Sequence, residues 1–229
     1  MPLNMEIYER TIVFVQRAIP QGFESFAKYA ELELLLKKGI FDYKDFENVD
    51  FGEDQGPMQK SISFSDKNIK IVGQIDRLII SMLDPNDSDK YFYEVSNKFS
   101  DSLVKENISA IGVNFNGIIE TKKADEIIKD KIINESPTIM NDADSASFKL
   151  VYKDLDNKAL SIIGIDAGGI RSASSKEKKE GILISYNYHR DIKTQQLMKD
   201  SMNKFQDSLE KVKVKFEEYK TKLEGFLNG

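Results

Sequence analysis

One apolar stripe near the C-terminal end limits what this chain can become. Met198, Met202, Phe205, Leu209, Val212, Phe216, Tyr219, Leu223 and Phe226 recur at alternating steps of four and three residues. That spacing puts them on one face of an amphipathic helix, predicted over 193–227. The roughly 32 residues that carry the stripe span about 48 Å as a helix. The same 3.5-residue repeat is what a coiled-coil seam requires. Three stripe positions are Phe and one is Tyr, and broad rings fit the groove of a sheet better than a narrow two-helix seam. The stripe therefore predicts a helix docked on the protein's own sheet. The alternative is pairing with a partner helix or with a second copy of the chain, giving a homo-oligomer.

The rest of the chain supplies such a sheet. Thr11–Val15 is rich in β-branched and aromatic residues and predicts a strand over 6–19. Phe23, Phe26, Ala30 and Leu34 then recur at helical spacing, up to Gly39. Strands are predicted at 60–65 and 69–83, a turn at 84–90 and a helix at 90–105 carrying Phe92, Val95, Phe99 and Leu103. Ile111, Val113 and Phe115 alternate as a strand through 108–119, and a helix follows over 122–134. Phe148–Tyr152 and Leu160–Ile165 form a hairpin around Asp156-Asn157-Lys158. Ile182, Ile184, Tyr186 and Tyr188 mark a last strand. No internal sequence repeat is visible. The expected fold is one α+β domain over 1–229. It has a twisted, mainly antiparallel sheet of about seven strands, helices on one face, and the long C-terminal helix.

Composition removes several functions. The 229 residues include no Cys, no Trp and a single His, His189. Cysteine nucleophiles, disulfides, thiolate metal centres and multi-His metal sites are excluded. The net charge is −5, and residues 1–120 carry −7 of it while 121–229 carry +2. An acidic chain is a poor ligand for nucleic-acid phosphates. There is neither a signal-peptide pattern nor a membrane-spanning apolar run, so a cytoplasmic protein without membrane attachment is expected.

Several motifs invite a catalytic reading and fail on context. Gly164-Ile165-Asp166-Ala167-Gly168-Gly169-Ile170-Arg171 looks like a phosphate or oxyanion loop, but only 58 residues follow it and no G-x-S-x-G elbow exists. The expectation is a strand end leading into a polar, mobile loop at 171–181. His189-Arg190-Asp191 spells a kinase triplet without the other kinase elements, and His189 falls on the outward phase of its strand. Asp84–Asp89 begins like a calcium loop, but its sixth and twelfth positions are Asp89 and Val95 rather than Gly and Glu. Asp166 with Glu177-Lys178-Lys179 is the best match to a carboxylate-only, metal-dependent nuclease or hydrolase. The triplet sits in a polar stretch rather than an apolar strand. No catalytic residue, metal or cofactor is assigned.

The segment from Phe41 to Asp54 is different in kind. It holds six carboxylates, one lysine and four aromatics. Rings that anchor and charges that steer suit docking onto a basic protein surface. The candidate partner-binding residues are Phe41, Asp42, Tyr43, Asp45, Phe46, Asp50, Phe51, Glu53 and Asp54. The competing reading is an acidic loop whose rings turn into the core.

Three stretches carry a resemblance. They are Gln74–Leu83, the helix that opens at Tyr91 and Phe92 and ends near Leu103, and the strand Ala110–Ile119. Together they resemble a sporadically distributed, uncharacterised bacterial protein family whose members are slightly longer than this chain and end in a long helix. The likeness is close over about fifty residues and departs at Asn114, where the family pattern has a basic residue. Members often lie near mobile or defence-related genes, and none contributes a catalytic residue.

The sequence thus points first to a non-enzymatic protein-interaction module binding a basic partner, with an inhibitor, antitoxin or defence accessory in phage–host conflict as the expected setting. The alternatives are a small-molecule-binding, helix-grip-like module, a carboxylate-metal nuclease or hydrolase, and a virion structural protein.

Overall fold

The computed structural model describes residues 3–16, 26–52, 59–83, 89–103, 108–132, 147–154, 159–171, 178–192 and 205–229. It begins with strand β1 (Met5–Gln16). A 3-10 turn (Phe26–Ala30) and helix α1 (Leu32–Lys37) follow. The next strands are β2 (Val49–Phe51), β3 (Gln59–Phe64), β4 (Ile69–Gln74) and β5 (Arg77–Leu83). Helix α2 (Asp89–Ser102) leads to β6 (Ile108–Glu120) and α3 (Ala124–Ile127), which widens into a π turn at Ile128–Ile132. The chain closes with β7 (Ser147–Asp154), β8 (Ala159–Arg171), β9 (Lys178–Asp191) and α4 (Phe205–Asn228).

All nine strands form one sheet in the order β2-β3-β4-β5-β1-β6-β9-β8-β7, and every pairing is antiparallel. The fold is α+β as expected, with nine strands rather than seven. One extra strand is β2, in the segment read as loop. The other arises because 69–83 is a hairpin, not one strand. Ile75 and Asp76 reverse the chain, yet the turn carries no glycine, proline or asparagine, so it lacks the usual hairpin signal. The stretch 171–181 is shorter as a loop than expected, since β8 continues to Arg171 and β9 starts at Lys178. Of the predicted terminal helix, 193–204 lies outside the described residues.

The order hides a repetition that the sequence does not show. Outward from the centre, the first half runs β1, β5, β4, β3; the second runs β6, β9, β8, β7. Each half is a strand, a helical segment, three further sheet strands and a covering helix. The halves meet at the antiparallel β1–β6 pair, where Ile12 faces Val113 and Phe14 faces Ile111. β2 is an addition at the outer edge of the first half.

Side-chain alternation assigns the two faces of the sheet. Register places Ile62, Ile71, Ile80, Ile12, Val113 and Tyr188 in one row across six strands. All are buried, and their face carries the core. The opposite face is polar near its centre. There Thr11 Oγ1 lies 3.1 Å from Ser81 Oγ, Asn116 donates to Glu9, and Asn187 donates to Asn114. His189 stands on this face with its Nε2 2.9 Å from Asp191 Oδ1.

Candidate functional site

Two regions compete for function: the acidic-aromatic segment after α1, and the space under α4.

The first is more structural than its sequence suggests. Phe41 is 2% exposed and stacks on Phe64 at a centroid distance of 4.3 Å. Phe46 packs edge-on against Phe41 at 6.0 Å. Both rings join Phe99, Tyr29 and Leu35 in the core. A capping box shapes the turn between them. The Asp42 side chain accepts from the Asp45 backbone N–H, and Asp45 Oδ2 accepts from Asp42 N–H at 2.7 Å. Asp45 is also 3.4 Å from Lys67 Nζ, with both side chains largely covered. Asp50 accepts from Ser65. Of the predicted docking residues, the structure leaves Asp42, Asp50 and Phe51 exposed, Phe51 at 60% on edge strand β2. The Tyr43 side chain, Glu53 and Asp54 lie outside the described residues. The structure thus turns Phe41 and Phe46 into the core and leaves Phe51 on the surface.

The motifs set aside on context fall as follows. Gly164–Arg171 is continuous strand in β8. Asp166 is exposed, and Glu177 and Asp84–Ser88 lie outside the described residues. Lys179 bridges Glu6 and Glu120 at 2.5 and 2.9 Å, and these two carboxylates raise its pKa. Among the described residues no three His, Asp or Glu side chains gather as a metal site. No helix among them is long and apolar enough to cross a membrane.

The second region is built by α4 and the β7–β9 end of the sheet. Phe216 is 1% exposed, stacks on Phe115 at 4.6 Å and approaches Tyr186 at 5.7 Å. Val212 is buried beside it. This seats α4 on its own sheet, as the ring-rich stripe suggested. The C-terminal end of the helix is clasped. Asn228 accepts from Leu3 N–H at 2.7 Å and donates back to Leu3 C=O at 2.9 Å. Glu224 accepts from Met5 N–H at 2.6 Å, and Lys131 donates to the Leu227 carbonyl at 2.9 Å.

Between these anchors the helix does not close onto the sheet. A cavity of about 250 Å³ remains. Its floor is Leu150, Ile163, Ile165, Ile184 and Tyr186, and Met5 forms one wall. Its roof is Phe216, Tyr219, Leu223 and Phe226 of α4, flanked by Lys220 and Lys222. Tyr152 and Phe226 are each about half exposed and mark the side open to solvent. Tyr219 packs on Tyr152 at 5.4 Å. Burial, followed by its hydrogen bond to Tyr152, raises the Tyr219 pKa well above that of a free phenol. Deeper in, the Tyr186 hydroxyl lies 3.1 Å from Ser161 Oγ. The sequence signal for this chamber was the stripe together with alternating β7, β8 and β9. What neither showed was that space remains beside these ring contacts, between the helix and Leu150, Ile163 and Ile165. Compared with known proteins, the chain matches no protein-family model and no curated protein.

Proposed function

We propose that this protein is a non-enzymatic binding module that holds a small, largely apolar molecule between α4 and the β7–β9 end of its sheet. The cavity of about 250 Å³ supports this reading. It exceeds the roughly 150 Å³ apolar cavity known to accept benzene. It falls just short of the usual range of ligand pockets, which begins near 300 Å³. The occupant is therefore a short acyl chain or one or two rings, not a large cofactor. Among the described residues its lining is apolar and aromatic apart from Lys220 and Lys222, which suits holding an apolar body.

A panel of short-chain alcohols and aromatic hydrocarbons, read by calorimetry and thermal shift, tests the reading. Saturation at a hundredfold excess over Kd should add about 2.7 kcal/mol of apparent stability. Replacing Ile163 by Phe should abolish binding while circular dichroism stays unchanged. Absence of binding by wild-type protein, or binding indifferent to that substitution, would remove the proposal.

A second reading rests on β2. Its edge position and exposed Phe51, beside Asp50 and close in sequence to Asp42, suit docking of a basic partner. Charge reversal at Asp42, Asp45, Asp50 and Asp54 with Phe51→Ala should weaken capture of such a partner and flatten its salt dependence. Asp45 also braces Lys67, so its single variant serves as the folding control. Unchanged capture would rule this surface out.

A further inference from the structure

We infer that the ligand of the α4 cavity is an anionic amphiphile, with a short hydrocarbon body inside and a carboxylate or similar anion at the rim. The inference rests on the apolar-binding reading and adds the head group. Of the thirteen lining residues, only two are ionised at neutral pH, Lys220 and Lys222, and both are cations. No carboxylate lines the space, in a chain whose acidic residues outnumber its basic ones by 38 to 33. Among the described residues neither lysine has a carboxylate partner, whereas Lys60, Lys67 and Lys179 are each paired. Glu224, one turn from Lys220, is held by the Met5 N–H, while Glu217 and Glu218, within one turn of the lysines, are exposed and line no part of the chamber.

The helical repeat explains how the cations frame the opening. Tyr219, Lys222 and Phe226 share one flank at i, i+3 and i+7, and Lys220 projects on the other side of Phe216 and Leu223. The flank with Lys222 is the one where Phe226 is half exposed. An anion there meets an ammonium and the Tyr152–Tyr219 phenol pair, while its apolar body reaches Ile163 and Ile184. Lysine stems also cover apolar surface while keeping the charge in water, which suits a rim.

The test compares octanoate, octanol and octylammonium by calorimetry on three proteins. These are wild type, the K220Q/K222Q double variant, and Ile163→Phe. Both lysines are at least partly solvent-exposed, so the double variant should fold normally. Octanoate should bind wild type best and octylammonium worst. The double variant should lose about fivefold in octanoate affinity, with octanol unchanged, as expected for partly exposed ion pairs. Raising the salt should erase the difference between the proteins. Equal binding of octanol and octanoate, or no loss in the double variant, overturns the anionic head group and leaves the cavity reading standing. If none of the three binds wild type, the cavity reading itself fails and the inference falls with it.

Discussion

In the first half of the sheet, the segment from Phe26 to Phe41 returns over β3, β4 and β5 and fills the space beneath α2. Tyr29 lies 6.2 Å from Phe99, Phe41 lies 6.5 Å from the same ring, and Lys98 donates to the Ile40 carbonyl. In the second half, the segment after β6 supplies α3 and the π turn, whose buried side chains are Ala124 and Ile128. Among the described residues nothing comparable covers β7–β9 except α4, and there the chamber remains. Among the described residues, the same order of elements thus carries a ring-packed core on one side and a chamber on the other. The described part of the segment that follows the first strand of each half is where the two differ: 26–41 lies on the sheet in the first, and 121–132 is what is described in the second.

Gly73 shows how closely that segment sits in the first half. A Cβ built there would lie 2.2 Å from the Phe26 carbonyl oxygen and 2.8 Å from Ala27 Cα. Backbone meets backbone, and only a residue without a side chain allows it.

The largest expected effect is at Phe41. Its replacement by Ala should cost about 4 kcal/mol in urea unfolding, because the ring is buried and stacked. A cost below about 1 kcal/mol would break the contrast, since it would mean the first half is loosely filled too. Gly73→Val should cost about 3 kcal/mol by forcing the 26–30 turn off the sheet. In the second half, Ile163→Phe should change stability by less than about 1 kcal/mol in either direction, because the added ring enters existing space rather than packed atoms. A loss as large as that at Gly73 would show the chamber to be closed in solution.

The smallest expected effect separates the halves by electrostatics. Tyr219 in the second half and Tyr91 in the first both have raised pKa values, so each stays neutral longer in the folded state than in the unfolded chain. Stability is full below the free phenol pKa of about 10 and declines as pH rises beyond it, because the unfolded state ionises first. Tyr219→Phe and Tyr91→Phe should each flatten the alkaline limb of a pH–stability curve. After burial, Asp45 and Asp66 contribute to the Tyr91 shift, whereas Tyr152 does so for Tyr219. Added salt should therefore shrink the Tyr91 effect more.

Much of this fold was legible because its signals are periodic. Strands β1, β3, β6, β8 and β9 and helices α2 and α4 each carry an apolar period long enough to recognise. The outward phase of His189 followed from counting by twos. The turn at Ile75-Asp76 was hidden because it has no glycine, proline or asparagine at its centre, and β2 because acids surround its three residues. Phe41 and Phe46 illustrate a deeper limit. Rings among carboxylates look alike whether they face a partner or a core, and only Phe64, supplied by a later strand, settles Phe41. The duplication left no trace because the shared property is strand order, which residue identity does not encode. The cavity is legible only as a mismatch between surfaces that at their nearest, Tyr186 and Phe216, are 30 residues apart in sequence.

The clasp between Asn228 and Leu3 joins residues 225 positions apart. Met5, next to that clasp, is also a wall of the chamber. The compartment is therefore among the least local parts of the molecule, and such contacts form late in folding. It should also open early in local fluctuations, with α4 lifting before the β1–β6 seam parts. A guest would then act as a latch, drawing the seated helix out of an ensemble of frayed ones. Hydrogen exchange along 219–228, slowed by ligand while exchange along β1 stays constant, would register that latch.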